Sequence, residues 1–300
     1  MARFWSCRIW PTTPTGWIRC GDCATVSYRA ESSNRMNVGL FVTATRYGLV
    51  EHARNRFAMV LVAVFIPVFV TLAGLIITDT QVPFRLRDTD VVLRANGNEL
   101  AQISGALTAA CLIIGFMMFA ATFSSGAFDR RLCMAGYPRV ALGLAKVACL
   151  VVASMVVSAY ATIAICFSWS PRQPIVLAAA LFCDAMTYGA LGVVFGTLLR
   201  REVEGMFAIA MISCFDMVVQ NPVASIGADS DVVRWLPSYG AMQAATAAGF
   251  SDTTLFTGLA VQLGWFTASV LVGLVTFHLR TRSALSPTMP IGVPGQPAKH

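Results

Sequence analysis

Six long apolar runs are the feature that most restricts how this sequence can fold. Crossing the hydrocarbon core of a bilayer, about 30 Å thick, takes about 20 mostly apolar helical residues, and each run has roughly that length. Only 12% of the residues are charged and 56% are hydrophobic, so a soluble fold would lack polar surface to cover its core. The sequence therefore predicts an all-α, polytopic membrane protein with six transmembrane helices. The runs are residues 57–77, 101–124, 147–168, 175–199, 206–226 and 255–279.

The basic residues are distributed unevenly between alternate connections. Of the 22 Lys and Arg residues, 17 lie in residues 1–56, 125–146, 200–205 and 280–300, and five lie in the other three connections. Cytoplasmic connections carry the excess of Lys and Arg, and an even number of spans puts both termini on one side. We therefore expect a multi-pass protein of the plasma membrane with both termini cytoplasmic. Nucleic-acid binding is not expected, because the arginines do not cluster on one face with interleaved aromatic residues.

The chain divides into four segments by composition. Residues 1–35 mix Arg, Trp, Cys, Pro and Thr without periodicity, and we expect an N-terminal extension with little order there. Residues 36–56 are expected to form a cytoplasmic amphipathic helix that leads into the first span. Residues 57–280 are expected to form the six-helix transmembrane domain. Residues 281–300 are rich in Pro and predict a disordered cytoplasmic tail.

The amphipathic pattern of the segment before the first span is imperfect. Its arc of apolar residues also contains Arg46, whose charge would have to snorkel to water. A helix on the membrane surface and an ordinary basic flank both fit this pattern. The apolar arc consists of Leu49, Val50, Ala53 and Phe57, and Glu51, His52 and Asn55 lie opposite.

The connection after the second run carries its own helical pattern. A Ser124 cap, one or two helical turns and the stop signals Gly136 and Pro138 predict a short cytoplasmic helix. Phe128, Leu132 and Ala135 follow helical spacing and would form a small apolar ridge that a soluble partner can contact. The ridge is flanked by Asp129, Arg130 and Arg131. The alternative is a plain positively charged loop, which explains the arginines but not the apolar spacing.

Three stretches resemble the permease subunits of ABC transporters of the second exporter type. They are DRRLCMAGYPRVALGLAKV after the second run, RREVEGMFAIAM before the fifth, and NPVASIGADSDVVRWLPSYGAMQ before the sixth. The resemblance covers residues 36–280. It implies six spans, an amphipathic helix before the first span, a short cytoplasmic coupling helix between spans two and three, and an outer re-entrant segment before the last span.

The resemblance also implies a division of labour between subunits. The chain has two lysines, Lys146 and Lys299, and neither lies in the G-x-x-x-x-G-K-[ST] loop that binds nucleotide phosphates. We therefore expect no enzymatic activity and no cofactor. The implied partners are a separate ABC ATPase subunit, a second permease chain in a homodimer or heterodimer, and the lipid bilayer. The implied cargo is amphipathic, drug-like or lipid-linked, and the implied contacts to the ATPase are Phe128, Asp129, Arg130, Arg131, Leu132 and Ala135.

Two carboxylic acids, Asp184 and Asp216, lie near the centres of their spans. A charged carboxylate there costs about 2.5–3.5 kcal/mol on insertion scales. Because no Lys or Arg lies at comparable depth, each is expected to be protonated, bonded to groups such as Thr187, Tyr188 or Ser213, or facing a wet cavity. Their role is either structural or in transport. The residues proposed for a translocation path are Phe116, Met117, Asp184 and Asp216.

These two acids support a second hypothesis, an ion-coupled secondary transporter. A third is a membrane scaffold or accessory subunit without cargo of its own. The contexts Phe182-Cys183-Asp184 and Cys214-Phe215-Asp216 lack the motifs of intramembrane aspartyl proteases, and H-E-x-x-H and G-x-S-x-G motifs do not occur. The lone Cys20–Cys23 pair does not predict a zinc or redox site.

Small residues recur along the fourth run at Ala185, Gly189, Gly192 and Gly196. This spacing puts them on one helical face, which lets another helix approach closely. We expect packing within the bundle there rather than a dimer seam.

Overall fold

The computed structural model describes residues 23–86, 90–220, 231–253 and 256–282, with side chains from Val38 to Thr276 except at Phe57, Arg139 and Asp231. Within these ranges the chain forms eight α-helices and one β-hairpin, and a 3-10 helix (Asp231–Trp235) precedes α7. Residues 1–22 and 283–300, which include Cys20 and most of the predicted tail, lie outside the described residues. The elements are α1 (Cys23–Arg54), α2 (Arg56–Ile76), β1 (Gln81–Leu86), β2 (Val91–Asn96), α3 (Gly97–Met134), α4 (Arg139–Ser168), α5 (Pro174–Leu198), α6 (Glu202–Gln220), α7 (Tyr239–Phe250) and α8 (Phe256–Arg282).

Five helices of the described chain are long and apolar enough to cross a bilayer. They coincide with the first, second, third, fourth and sixth apolar runs, and so the prediction of a largely α-helical membrane protein is confirmed at that level. The five stretches are Ala58–Ile76, Gly97–Met134, Val140–Ser168, Pro174–Leu198 and Phe256–Thr276.

The fifth predicted run corresponds to α6, which is not among those five stretches. This helix has 19 residues, carries Glu202 and Glu204 in its first turn, and ends at Gln220. Helix geometry is disfavoured for a residue that precedes proline, which is the position of Asn221 before Pro222. Residues 221–226 of the predicted run lie outside the described residues.

A β-hairpin between α2 and α3 corrects the prediction of a purely α-helical chain. Strands β1 and β2 pair antiparallel, from Gln81 opposite Asn96 to Leu86 opposite Val91. Phe84 and Leu86 are two residues apart, lie on the same face and are buried against the bundle. The strands are rich in β-branched valine, which favours strand structure and is the sequence signal for this hairpin.

The separate short helix predicted after the second run is also corrected. Residues 124–134 are helical, but they continue α3 without a break, so this helix has 38 residues and a length of about 57 Å. The predicted stop at Gly136 is confirmed: Gly136 has a φ of 92°, and the amide of Tyr137 donates to the Leu132 carbonyl at 3.0 Å. This is a helix end closed by a left-handed glycine.

Helix α1 packs beside the first half of α4. The Tyr137 hydroxyl donates to the Leu40 carbonyl at 2.6 Å, and the Cys149 thiol lies 3.5 Å from the Thr45 carbonyl oxygen. The helix begins at Cys23, inside the segment predicted to have little order.

The predicted apolar arc of α1 lies mostly outside the contact with α4. Val50 is 44% exposed and Ala53 is exposed, whereas Leu40, Gly48 and His52 lie on the partly covered side. Close helix contact at Gly48 selects this face, because the Cys149 sulfur lies against its Cα.

Helix α5 is the centre of the bundle and contacts α3, α4, α6, α7 and α8. Its small-residue face packs inside the molecule, as predicted: a Cβ on Gly192 would collide with the carbonyl oxygen of Gly115, and one on Gly189 with Leu150. Between α6 and α8 the 12-residue helix α7 is buried along its whole length from Gly240 to Gly249.

Candidate functional site

The end of the bundle where α3 passes into α4 carries the predicted partner contacts. Phe128 is 61% exposed, and Ala135, Arg130 and Arg131 are exposed as well. Leu132 is half-buried. The predicted apolar ridge is therefore accessible mainly through Phe128.

Asp129 points into the bundle instead of outward. It is 6% exposed, and its Oδ2 lies 2.7 Å from the ammonium of Lys146 on α4. Ser125 donates to the same oxygen at 3.1 Å and accepts from Lys146 at 2.7 Å. This three-residue network fastens the end of α3 to α4, and it leaves Asp129 poorly placed for a direct partner contact.

Asp184, on α5, is fully buried, and its side-chain donors are the Gln262 amide and the Cys111 thiol. The side-chain amide of Gln262, from α8, donates to Asp184 Oδ1 at 3.1 Å and to Thr187 Oγ1 at 2.9 Å. Asp184 Oδ2 has no hydrogen-bond partner in the described part of the chain. Thr187 itself donates to the Cys183 carbonyl, so the direct bond to Asp184 that the sequence suggested is absent from its described contacts.

Asp216, on α6, is surrounded by donors. Its Oδ2 accepts from the Tyr188 hydroxyl at 2.6 Å, from the Ser238 amide at 2.9 Å and from the Ser238 hydroxyl. Its Oδ1 accepts from the amide of Gln220, one helical turn further along α6. The carboxyl group therefore joins α5, α6 and the residue that precedes α7, and Tyr188 is the expected partner that the structure confirms.

Both acids border one small cavity, which we call the aspartate cavity. Its volume is about 20 Å³, which is room for about one water molecule. Among the residues that line it are Thr108, Cys111, Asp184, Ser213, Asp216 and Gln220. The sequence predicts the two acids in separate spans, but it does not predict that both border the same cavity. Gln262 and Gln220 were the available signals, since a glutamine amide inside an apolar run needs a polar partner.

A second and much larger cavity lies toward the α3–α4 end, and we call it the amphipathic cavity. Its volume is about 380 Å³, and it is enclosed by α3, α4, α5 and α8. Asp129 and Arg130, both predicted partner contacts, line its charged part, whereas Phe116 and Met117 line neither cavity. One sequence signal points to this cavity, since the facing helices carry glycines where it lies. These are Gly126, Gly143, Gly196 and Gly273.

In the described ranges, no three His, Cys, Asp or Glu side chains approach closely enough to hold a metal ion. The predicted outer segment places Trp235 at the surface, where it is 80% exposed. The arrangement thus offers an exposed helix end, a buried pair of acids and an amphipathic cavity.

Comparison with known proteins adds no assignment. No protein-family model matches the chain. No curated protein matches it in sequence either. The resemblance to exporter permeases therefore stays a prediction from the sequence.

Proposed function

We infer that this chain is the membrane-spanning permease subunit of an ATP-driven ABC exporter. The observation that carries the proposal is the end of α3, which runs unbroken past its apolar stretch and presents Phe128 and the arginines 130 and 131 to solvent. An exposed phenylalanine beside positive charges is suited to a soluble partner with an apolar pocket and an acidic rim. Since the sequence has no nucleotide-binding loop, that partner is an ABC ATPase that supplies the free energy.

The continuous helix suggests how such a partner acts on the bundle. A displacement at Phe128 is transmitted along α3, because a single 38-residue helix moves as one rigid element. Helix α3 packs most extensively on α5, so the displacement reaches the wall of the amphipathic cavity directly. The Asp129–Lys146 pair carries α4 with it. ATP-driven closure of two ATPases would in this way shift helices around an amphipathic cargo.

Three finer features belong to the same proposal. Helix α6 serves as the fifth of six spans, and the buried α7, too short to cross a bilayer, is the outer re-entrant segment before the last span. The α3–α4 end faces the cytoplasm of the plasma membrane, in agreement with its arginines, and so do both termini. A second permease chain, identical or related, completes the path.

Substitution of Phe128 tests this proposal. We expect Phe128→Glu to insert normally but to lose co-purification with a P-loop ATPase and ATP-driven export, because the charge cannot enter an apolar pocket. Trp235→Glu is the matched control, since it puts the same charge on an exposed aromatic position in the connection before α7. Tagged protein from native membranes is assayed for bound ATPase by mass spectrometry and ATP hydrolysis. Unchanged ATPase binding and export in the Phe128 variant would refute the assignment.

The aspartate cavity favours one other function, an ion-coupled secondary transporter. Two buried acids share one small cavity, and Asp184 Oδ2 has no partner in the described chain, as a site that takes up and releases a proton requires. Proteoliposomes that contain only this chain separate the two functions. The carrier moves solute when given a proton gradient without ATP, whereas the permease does not.

A further inference from the structure

The amphipathic cavity has the size of a ligand site and a division into two chemical halves. Its volume of about 380 Å³ is within the range of small-molecule pockets. The deeper half lies between the first half of α4 and the second halves of α5 and α8, and the other half lies toward the ends of α3 and α5. The apolar side chains of the deeper half include Val147, Leu150, Val193, Val270 and Leu274.

The charged half is positive overall. Lys146 and Asp129 line it and neutralise each other at 2.7 Å. Arg130 and Arg200 also line it, from the ends of two different helices, and both are exposed. Among the described residues that line the cavity, Asp129 is the only acidic one. The guanidinium groups therefore supply planar pairs of donors that suit a carboxylate, sulfate or phosphate group.

We propose that this cavity binds an anionic amphiphile with a single alkyl chain. The chain occupies the apolar half between α4, α5 and α8, and the acidic head group pairs with Arg130 and Arg200. Water fills such a space poorly, because the apolar wall offers few hydrogen bonds. A cationic amphiphile would meet two uncompensated positive charges. The step from binding to export rests on the proposed permease function, but binding itself is a property of the chain alone.

Three fluorescent probes that share one alkyl chain test the charge preference. They carry a carboxylate, a quaternary ammonium or a hydroxyl head group, and their binding is titrated on the full chain in nanodiscs of phosphatidylcholine. We expect the carboxylate probe to bind at least about tenfold more tightly than the ammonium probe. An Arg130→Gln, Arg200→Gln double variant should reduce that ratio to less than about threefold. Equal binding of the three probes, or an unchanged ratio in the double variant, would overturn the proposal.

A glycine substitution tests the location. Gly126 lines the cavity, and a Cβ built there has no atom within 4 Å, so Gly126→Leu extends into the open space without a backbone clash. Gly264 on α8 has equally open surroundings but does not line the cavity, which makes Gly264→Leu the matched control. Both changes replace a helical glycine and should not weaken their helices.

We expect Gly126→Leu to weaken binding of the carboxylate probe by about tenfold or more, and Gly264→Leu to leave it unchanged. Equal binding by the two variants would mean that the probe dissolves in lipid or binds elsewhere, and would overturn the proposal. If Gly126→Leu fails to fold, the arginine double variant still decides. Probe binding is measured on the chain alone, so a wild-type protein that binds the probe but co-purifies with no P-loop ATPase would count against the permease function and not against the binding site.

Discussion

The bundle contains two regions with buried acids, and it satisfies them in opposite ways. Near the α3–α4 end, Asp129 is paired with the cation Lys146, whose long side chain extends from α4. In the middle, Asp184 and Asp216 border the aspartate cavity, which no Lys or Arg lines. Lysine can keep part of its side chain near water at the end of a bundle, but not at its centre. Neutral donors take over the role of the cation there.

The middle region is itself unequal. Asp216 accepts four hydrogen bonds, from Tyr188, Gln220 and Ser238, whereas the donors to Asp184 are the Gln262 amide and the weakly donating Cys111 thiol. Because Asp216 joins three elements, its contribution should be to stability. Asp184 borders the cavity, and its Oδ2 has no hydrogen-bond partner in the described part of the chain, so it is the better candidate for a functional proton or ligand contact. Substitutions can separate these roles.

The largest effect is expected for Asp216→Ala. The change leaves two hydroxyls, a backbone amide and a glutamine amide without their acceptor, which should lower the free energy of unfolding by about 3 kcal/mol or more. Reversible denaturation in mixed detergent measures it, with Cys214→Ala as control, since Cys214 is an exposed neighbour on the same helix. A loss of less than about 1 kcal/mol would show that Asp216 does not hold the junction together.

Lys146→Met should produce the second effect, a loss of about 2 kcal/mol. It leaves the Asp129 carboxylate mostly buried without its cation, and the partial exposure of Lys146 reduces the penalty. The double variant Lys146→Met, Asp129→Leu should recover most of the loss, because an apolar pair needs no counter-charge. Additive losses in the double variant would contradict a direct pair between these side chains.

Asp184→Asn should change stability by less than about 1 kcal/mol. Its oxygen still accepts from Gln262, and its new amide faces the aspartate cavity. The same unfolding assay measures it beside Asp216→Ala. If the chain is an ion-coupled carrier, this variant also abolishes gradient-driven uptake although the fold is intact. A stability loss as large as that of Asp216→Ala would remove the distinction between the two acids.

The smallest effect concerns pH at the α1–α4 contact. Burial lowers the pKa of His52, Glu51 opposes this shift, and Lys146 adds to it. The folded state therefore binds fewer protons than the unfolded state, so stability is present above about pH 6.5 and falls as the pH drops from there toward the lowered pKa. Thermal unfolding of the wild type and of His52→Gln between pH 7.5 and 5.5 measures it. A dependence that persists in His52→Gln would assign the effect to another group.

Several elements were predictable because their signals are local. The length of the apolar runs predicted five of the described helices, and the Gly-Tyr-Pro sequence predicted the end of α3 at Met134. The hairpin was not predicted, because valine is hydrophobic as well as strand-favouring, and its pattern here is too short to separate the two properties. The face of α1 that packs on α4 was not predicted, because the contacting residues lie about 100 positions apart along the chain.

What the sequence by itself determined is which segments are apolar and long, since transfer from water to lipid depends on the composition of each segment alone. The tertiary structure decided which polar groups meet: Asp129 with Lys146, Asp216 with Tyr188, and Asp184 with Gln262. Those pairings depend on how each helix is rotated against its neighbours, and that rotation is set by close packing of residues far apart in sequence, such as Gly192 against Gly115. The amphipathic cavity follows from the same packing, because it is the space between four helices and belongs to none of them.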